Sequence, residues 1–266
     1  MGALERGTPV HRGMSEGLDT FAVEAHNGPD GTLLWSLPAD YRLPPHHWIP
    51  SYSPTLTRDR LYYPGAAGSV LFRDDPDAPL GTTGRIAFYG SYDPALANRV
   101  MIHTPITADA AGNIYFGFLV TADVPNLESG IARISAGGVG TWVSAASLVG
   151  VPGSRMLTNS APALANDGGT LYVAVDGAPG YLVALDSSTL AYRNKVALRD
   201  PRSASQSARL SNDSTSSPTV GPDGDVYFGV QDERSLGWLL HFSADLSQSR
   251  ITWGLRLGQH RSDRAP

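Results

Sequence analysis

A proline that is followed eight to ten residues later by a tyrosine occurs four times in this chain. The prolines are 51, 57 and 56 residues apart, and the copies run from Pro54 to Tyr62, from Pro105 to Tyr115, from Pro162 to Tyr172 and from Pro218 to Tyr227. Periods of roughly 50 residues that contain short strands are typical of β-propellers, in which each repeat forms one blade of about four strands. The repeat therefore predicts an all-β fold built from four-stranded antiparallel blades.

Each copy also carries the pattern of a β-hairpin. In the last copy, Asp223 and Gly224 separate an apolar segment from the apolar run 226–228. An Asp-Gly pair supports the positive φ that tight turns need. A third apolar segment follows each hairpin, for example 181–185 and 237–242, and a fourth strand is expected after one more turn.

The composition agrees with a fold that is rich in turns. The 29 glycines and 20 prolines exceed the ~12% of average usage, and charged residues make up 17% against a norm of ~25%. A net charge of -5 offers no positive surface for nucleic acid or anionic lipid, so neither partner is expected. A chain of 266 residues is long enough for one sizeable core, and we expect a single domain.

Three absences narrow the possible chemistry and targeting signals. The chain has no cysteine, which excludes disulfides, thiolate metal sites and cysteine nucleophiles. Residues 1–19 carry several charges and lack the apolar run of a signal peptide. No segment approaches the ~18 apolar residues of a transmembrane helix, so no membrane insertion is expected. The residues themselves leave the compartment unknown.

A second repeated signal lies in the turn between the third and fourth strands. Residues 25–35 fit the pattern Ala, x, Asp or Asn, two x, a polar residue, Gly, three x, Trp, and they end at Trp35. Degraded copies begin at Ala184 and at Ser243, and the latter reaches Trp253. These residues resemble the tryptophan-docking motif of the quinoprotein-like β-propellers, the PQQ-like repeat family, over roughly residues 20–257.

The resemblance implies a propeller but divides the possible functions. Some family members are dehydrogenases that hold pyrroloquinoline quinone and a calcium ion in an eight-bladed ring, often beneath a disulfide of adjacent cysteines. Others carry no cofactor and act as binding or assembly scaffolds. Because this chain has no cysteine and its motifs are degraded, we expect no cofactor, with PQQ and calcium as the alternative. The resemblance also implies a periplasmic or extracellular location.

The strand count predicts an incomplete ring. Residues 20–41 supply only the outer two strands of a blade, and the blades that follow occupy about 48–100, 101–154, 155–207 and 208–257. An irregular segment at 1–19 and a flexible tail at 258–266 are expected outside the propeller domain. Open blade edges would favour pairing with a second copy of the chain, or with a protein partner that completes the propeller.

Candidate site residues come from the inner strands, since the chain lacks the usual short catalytic motifs. In a propeller these strands line the channel. Two residues before the repeat prolines stand Tyr52, His103, Ser160 and Ser216, and Asn159 precedes Ser160. This polar set predicts a channel mouth for a small polar ligand or a partner segment.

One arginine in each loop that leads to an inner strand favours an anionic ligand. The ligand-binding candidates in these loops are Arg42, His47, Arg99, Arg155 and Arg209. Converging guanidinium groups bind carboxylate or phosphate through paired hydrogen bonds. Solvated loop arginines are the alternative, because the chain has 19 arginines and a single lysine.

His103 is the strongest candidate for chemistry. With one of His46 and His47 and a loop carboxylate such as Asp213, it could form a mixed metal or general-base site. A hydrogen-bonding residue of the channel wall is the favoured interpretation. His46 and His47 are adjacent and point opposite ways in an extended segment, so no metal site is predicted. The sequence thus predicts a non-catalytic binding or scaffold module. The alternative is a propeller enzyme, either a quinone-dependent dehydrogenase or a hydrolase or lyase.

Overall fold

The described part of the chain is almost entirely β-structure. The computed structural model of the protein describes residues 21–45, 52–210 and 216–250. Its antiparallel strands form two two-stranded sheets and four larger sheets. The first two-stranded sheet is here called the half-blade, and the four larger sheets are called blades 1 to 4. The prediction of an all-β fold made of four-stranded antiparallel sheets is confirmed.

The half-blade and blade 1 come first along the chain. The half-blade consists of β1 (Phe21–His26) and β2 (Leu33–Ala39). Blade 1 consists of β3 (Thr55–Leu56), β4 (Arg60–Pro64), β5 (Val70–Asp74) and β6 (Thr83–Ile86), hydrogen-bonded in that order. Two 3-10 helices lie after β4 and before blade 2, at Ala66–Gly68 and Pro94–Leu96.

Blade 2 has an innermost strand in two pieces. It consists of β7 (Val100–Ile102), β8 (Thr107–Ala108), β9 (Ile114–Val120), β10 (Gly130–Ile134) and β11 (Gly140–Ser144), and both β7 and β8 pair with β9. The short helix α1 (Ala145–Val149) follows; the Ser144 side chain caps its N-terminus, and Gly150 ends it in the left-handed region.

Blades 3 and 4 are separated by a hairpin that the sequence did not predict. Blade 3 consists of β12 (Ala163–Leu164), β13 (Thr170–Val175), β14 (Tyr181–Asp186) and β15 (Tyr192–Ala197). The inserted hairpin is formed by β16 (Arg199–Asp200) and β17 (Ser203–Ser207). Blade 4 consists of β18 (Thr219–Val220), β19 (Val226–Gln231), β20 (Gly237–Phe242) and β21 (Ser249–Arg250). No helix in the described ranges has the length and apolar character needed to cross a bilayer.

The repeated tyrosine has one structural role in the four blades. It lies in the second strand and pairs across the sheet with the first or second residue after the repeat proline; the pairs are Thr55 with Tyr62, Thr107 with Tyr115, Ala163 with Tyr172 and Thr219 with Tyr227. The first three of these tyrosines are only 1% exposed. The sequence period therefore reflects one side chain that blades 1 to 3 bury at nearly the same position, and that blade 4 leaves half-buried as Tyr227.

The apolar core lies mainly between blades. One cluster joins the half-blade to blades 1 and 2, a second joins blade 2 to blade 3, and a third joins blade 3 to blade 4. A single sheet has two faces to cover, so each blade uses its neighbour for that purpose. Burial of apolar area in these contacts, at roughly 25 cal/mol per Å², is the main force that holds neighbouring blades together.

Gly117 shows how closely the blades approach one another. A Cβ atom added to Gly117 in β9 would lie 2.6 Å from the Cγ2 atom of Thr104 and 2.9 Å from the Cβ atom of Met156, which belongs to blade 3. We expect Gly117→Ala to lower the free energy of unfolding by ~1–3 kcal/mol, the usual cost of overpacking a core. Urea denaturation at equilibrium measures this change.

Gly137 provides the matched control for that substitution. It lies in the turn between β10 and β11, where the nearest atom to an added Cβ is the Ser135 hydroxyl oxygen at 3.8 Å. Gly137→Ala is expected to be neutral or to stabilise by less than ~1 kcal/mol, because alanine reduces the entropy of the unfolded chain. Equal losses in the two variants would contradict the packing argument.

Two aspartates organise the outer turns of blades 3 and 4. Asp186 accepts hydrogen bonds from the backbone and hydroxyl groups of Ser188 and Thr189. Asp245 accepts from the Ser243 hydroxyl and from the backbone and hydroxyl of Ser247. The Ser188 hydroxyl contributes most to the lowered pKa of Asp186, and the Ser243 hydroxyl contributes most to lowering the pKa of Asp245 to about 2.

These lowered pKa values predict an acid dependence of stability. An unfolded aspartate has a pKa of about 3.9, so each ionised turn stabilises the fold fully above that pH and loses the contribution as the pH falls through the folded pKa. The unfolding free energy should therefore decrease from about pH 5 towards pH 2. In the double variant Asp186→Asn, Asp245→Asn this slope should be smaller. Chemical denaturation at a series of pH values measures it, and an unchanged slope would contradict the assignment.

Candidate binding site at the inner edge of the blades

The first strands of neighbouring blades meet along one edge, here called the inner edge. The Thr55 hydroxyl donates to the Ile106 carbonyl at 2.6 Å, and the Thr107 hydroxyl donates to the Pro162 carbonyl at 2.6 Å. Between blades 3 and 4, the Ala161 amide donates to the Ser217 hydroxyl at 2.9 Å. Residues next to the repeat prolines therefore connect each blade to the following one.

The inner strands are interrupted just before these prolines. In blade 2, β7 ends at Ile102 and β8 begins at Thr107, although both pieces pair with β9. In blade 3, an isolated bridge at Met156 precedes β12, and in blade 4 one at Arg209 precedes β18. Proline lacks the amide hydrogen that a continuous ladder needs, so the preceding residues leave the regular pairing. The predicted polar residues lie in these interruptions.

His103 occupies the interruption in blade 2. Its side chain is fully buried, and its backbone amide donates to the Gly117 carbonyl at 3.1 Å. The Nδ1 atom lies 3.4 Å from the Thr158 hydroxyl of blade 3. The structure therefore places this histidine at the contact between two blades.

Tyr52 lies in an aromatic cluster beside the half-blade. Its ring centroid is 4.7 Å from that of Phe21 and 5.4 Å from that of Tyr41. The Tyr41 hydroxyl donates to the Ile102 carbonyl at 2.8 Å, which places the cluster next to His103. Burial raises the pKa of both tyrosines far above the ordinary value, so both hydroxyls stay protonated.

Asn159 and Ser160 continue the polar edge into blade 3. The backbone amide of Asn159 donates to the backbone carbonyl of His103 at 2.9 Å. Asn159 adopts a left-handed φ of 61°, which asparagine tolerates well. The Ser160 side chain is 5% exposed. Among the described residues, the hydroxyl groups of Ser160 and Tyr52 have no hydrogen-bond partner.

Three of the predicted arginines have equivalent positions. In each case the backbone carbonyl of the arginine accepts a hydrogen bond from a backbone amide at the end of the second strand or just after it; the three residues are Arg99, Arg155 and Arg209. Their guanidinium groups bond to loops of their own blades: Arg99 to the Asp123 carbonyl, Arg155 to the Asp176 carboxylate, and Arg209 to the Ser235 hydroxyl. Each guanidinium group thus braces the loop that follows the second strand.

Arg99 also lines a surface groove of about 1200 Å³ on blade 2, with residues 120–129 and Trp142. This groove lies beside the loop that Arg99 braces. Within the described residues, no contact joins any two of Arg99, Arg155 and Arg209.

The remaining predicted residues are not gathered at one place. Arg42 is exposed after the half-blade, and Ser216 packs against Gly229 in blade 4. His47 and Asp213 lie outside the described residues. The pairing of His103 with Asp213, the hydrolase or lyase alternative that depends on it, and the dehydrogenase alternative therefore stay predictions.

Sequence reasoning missed two residues of this edge, Tyr41 and Thr158. Tyr41 is outside the proline repeat, so the repeat gave no signal for it, although its hydroxyl connects the half-blade to blade 2. Thr158 lies two residues before Ser160, and alternation along an extended segment could have placed both on one side.

The described polar residues of the inner edge lack the ligand types that a quinone with calcium needs. Calcium takes six to eight oxygen ligands that include carboxylates, and pyrroloquinoline quinone carries carboxylates that need cationic partners. The described residues in the interruptions before the prolines provide hydroxyl, amide and imidazole groups, from Tyr52, His103, Thr158, Asn159 and Ser160. The described loop arginines Arg99, Arg155 and Arg209 bond to their own blades.

Comparison with known proteins supports the fold at low sequence identity. No protein-family profile matches the sequence, and no curated protein sequence matches it significantly. Among solved structures, a quinohemoprotein alcohol dehydrogenase from Pseudomonas putida HK5 matches with a TM-score of 0.51 and 16% identity over 82% of this chain and 35% of its own. A chain of the mitotic checkpoint complex matches with a TM-score of 0.51 and 11% identity over 86% of this chain and 57% of its own.

A further match is the β-propeller domain of Cps50 from Myceliophteria thermophila. Its TM-score is 0.50, with 12% identity over 90% of this chain and 68% of its own. This chain spans little more than a third of the dehydrogenase and just over half of the checkpoint protein. The four-stranded blades, the shared inner edge and these matches together confirm the predicted fold: the chain is a β-propeller.

Proposed function

We propose that this chain is a β-propeller binding module that holds a small uncharged polar ligand at the inner edge without a quinone cofactor. The observation that carries the proposal is the pair of buried hydroxyls, on Tyr52 and Ser160, that lack a partner among the described residues. These side chains are 9% and 5% exposed. A buried polar group without a hydrogen bond costs ~1–3 kcal/mol, so a native protein normally supplies a partner.

The charges at the inner edge favour an uncharged ligand. Tyr52, Asn159 and Ser160 are neutral, and burial keeps the Tyr52 hydroxyl protonated by raising its pKa. The loop arginines are already engaged by loop acceptors. A ligand with hydroxyl or amide groups would satisfy the two hydroxyls without bringing an unpaired charge into a buried site.

The two neighbouring tyrosines give a matched stability test. Tyr41→Phe removes a buried hydrogen bond to the Ile102 carbonyl and should lower the free energy of unfolding by ~1–2 kcal/mol. Tyr52→Phe removes a hydroxyl with no partner among the described residues, so it should be neutral or stabilising. Thermal and urea denaturation measure both changes. A loss in Tyr52→Phe as large as that in Tyr41→Phe would show that the Tyr52 hydroxyl already has a protein partner.

A ligand screen tests the function itself. Saturation-transfer NMR on the full chain with monosaccharides, polyols, neutral amino-acid amides and dicarboxylates should detect binding by one of the uncharged classes. Ser160→Ala should weaken that binding by roughly 5- to 20-fold, the value of one hydrogen bond to a neutral ligand. The control is Ser205→Ala, which changes an exposed serine in β17 and should leave the affinity unchanged.

Three results would overturn the proposal. They are the absence of binding across all uncharged classes, exclusive binding of dicarboxylates, and binding that Ser160→Ala leaves unchanged. The dicarboxylate result would instead support the predicted arginine site.

A further inference from the structure

Blade 4 brings an imidazole and two carboxylates together at the turn between β18 and β19. Asp223 and Asp225 flank Gly224, which has a φ of 84° in this turn, and His241 lies on the adjacent strand β20. One potential ligand atom of each side chain lies within 4.8 Å of the other two. The sequence favours turn chemistry over oxygen ligands for calcium at this position. The strand register brings His241 opposite Tyr227, a contact that the sequence does not indicate.

The same position in blade 2 is built differently. Asn113 and Asp225 each precede the repeat tyrosine by two residues, and Arg133 and His241 each pair with that tyrosine from the third strand. Arg133 donates to the Asn113 side-chain oxygen at 2.9 Å, whereas His241 Nε2 lies 2.7 Å from Asp225 Oδ2. A guanidinium group cannot ligate a metal ion, while a neutral imidazole can. Blade 4 thus has the chemistry of a metal site where blade 2 has a closed polar pair.

The three side chains are partly fixed before any ion binds. The rings of His241 and Tyr227 stack with centroids 4.4 Å apart and an angle of 19° between their planes. Asp225 is 8% exposed, and its backbone amide donates to Asp223 Oδ1 at 3.1 Å. Asp223 is exposed and lines a groove of about 600 Å³ between blades 3 and 4. The site is therefore held on one side by packing and is open to solvent on the other.

The charge around this groove favours a cation. Asp167, Asp223 and Asp245 line it, together with one guanidinium group from Arg193. Arg193 is bonded to Asp186 and to the Thr170 hydroxyl, so its charge is directed to blade 3. The groove that Asp223 lines thus presents more carboxylates than cations, which attracts divalent ions.

We propose that Asp223, Asp225 and His241 bind one divalent first-row transition-metal ion at the β18–β19 turn of blade 4. One imidazole nitrogen with two carboxylate oxygens suits Zn²⁺, Mn²⁺ or Co²⁺, whose bonds to such atoms are about 2.0–2.2 Å long. Ligand atoms around one ion lie about 3–4 Å apart, so atoms already within 4.8 Å need only small rotamer changes. Water from the groove would complete the coordination.

Calorimetric titration of the chelator-treated full chain with ZnCl₂ tests this proposal. We expect one saturable site in the parent protein and at least ten-fold weaker binding in Asp223→Asn and in His241→Gln. Titration with CoCl₂ should also give visible absorption bands of nitrogen–oxygen coordination that His241→Gln removes. Asp223 is exposed, so Asp223→Asn should fold normally. This variant therefore keeps the test valid even if His241→Gln fails to fold.

Asp167→Asn is the matched control. Asp167 lies in the corresponding turn of blade 3 and on the same groove, but the repeat tyrosine there pairs with Ala184 instead of a histidine. The affinity of the Asp167→Asn variant for Zn²⁺ should equal that of the parent protein. The chain has seven histidines, so binding at other residues must be separated from this site by the variants. Absence of a one-to-one site, or equal affinity in the parent, Asp223→Asn and His241→Gln, would overturn the proposal and leave His241 and Asp225 as a hydrogen-bonded pair.

Discussion

Contact between successive blades is the constraint on which the rest of this structure depends. A blade cannot cover both of its faces, and the three apolar clusters lie where neighbouring units meet. Polar contacts set the geometry of these junctions. Trp35 of the half-blade donates through Nε1 to the Pro76 carbonyl in blade 1 at 3.0 Å, and Arg73 lies over its ring at 4.5 Å. A buried indole thus contributes apolar area and one directed donor.

Blade 3 has an asparagine where the motif has tryptophan, but it still donates a hydrogen bond to the next blade. Asn194 stands at the tryptophan position of the motif, and its side-chain amide donates to the Asp245 carbonyl in blade 4 at 2.7 Å. The Tyr172 hydroxyl donates to the neighbouring Ala244 carbonyl at 2.6 Å. The degraded motif therefore still docks one blade on the next, with less buried area. This explains why the fold is kept where the sequence pattern is degraded, and why the matches to solved propellers have only 11–16% identity.

The same junctions decide the chemistry of the inner edge. Because the first strands converge, His103 is buried against Thr158 of the next blade. The regular spacing of the arginines, in contrast, reflects a structural position: each one braces the loop after the second strand. Spacing identified both sets equally well. It could not separate them, because the direction of a side chain depends on strand register and on the neighbouring blade.

The sequence by itself determined the strand composition, the period of the repeat and the turns, since each depends on residues close together in the chain. It also located Tyr52, His103, Asn159 and Ser160 two or three residues before the repeat prolines. Only the tertiary structure decided which polar groups meet. The Tyr41 bond to blade 2, the hairpin β16–β17 and the approach of His241 to Asp225 join segments whose pairing no local pattern encodes. Such contacts depend on cross-strand register and blade packing, which are properties of the whole fold.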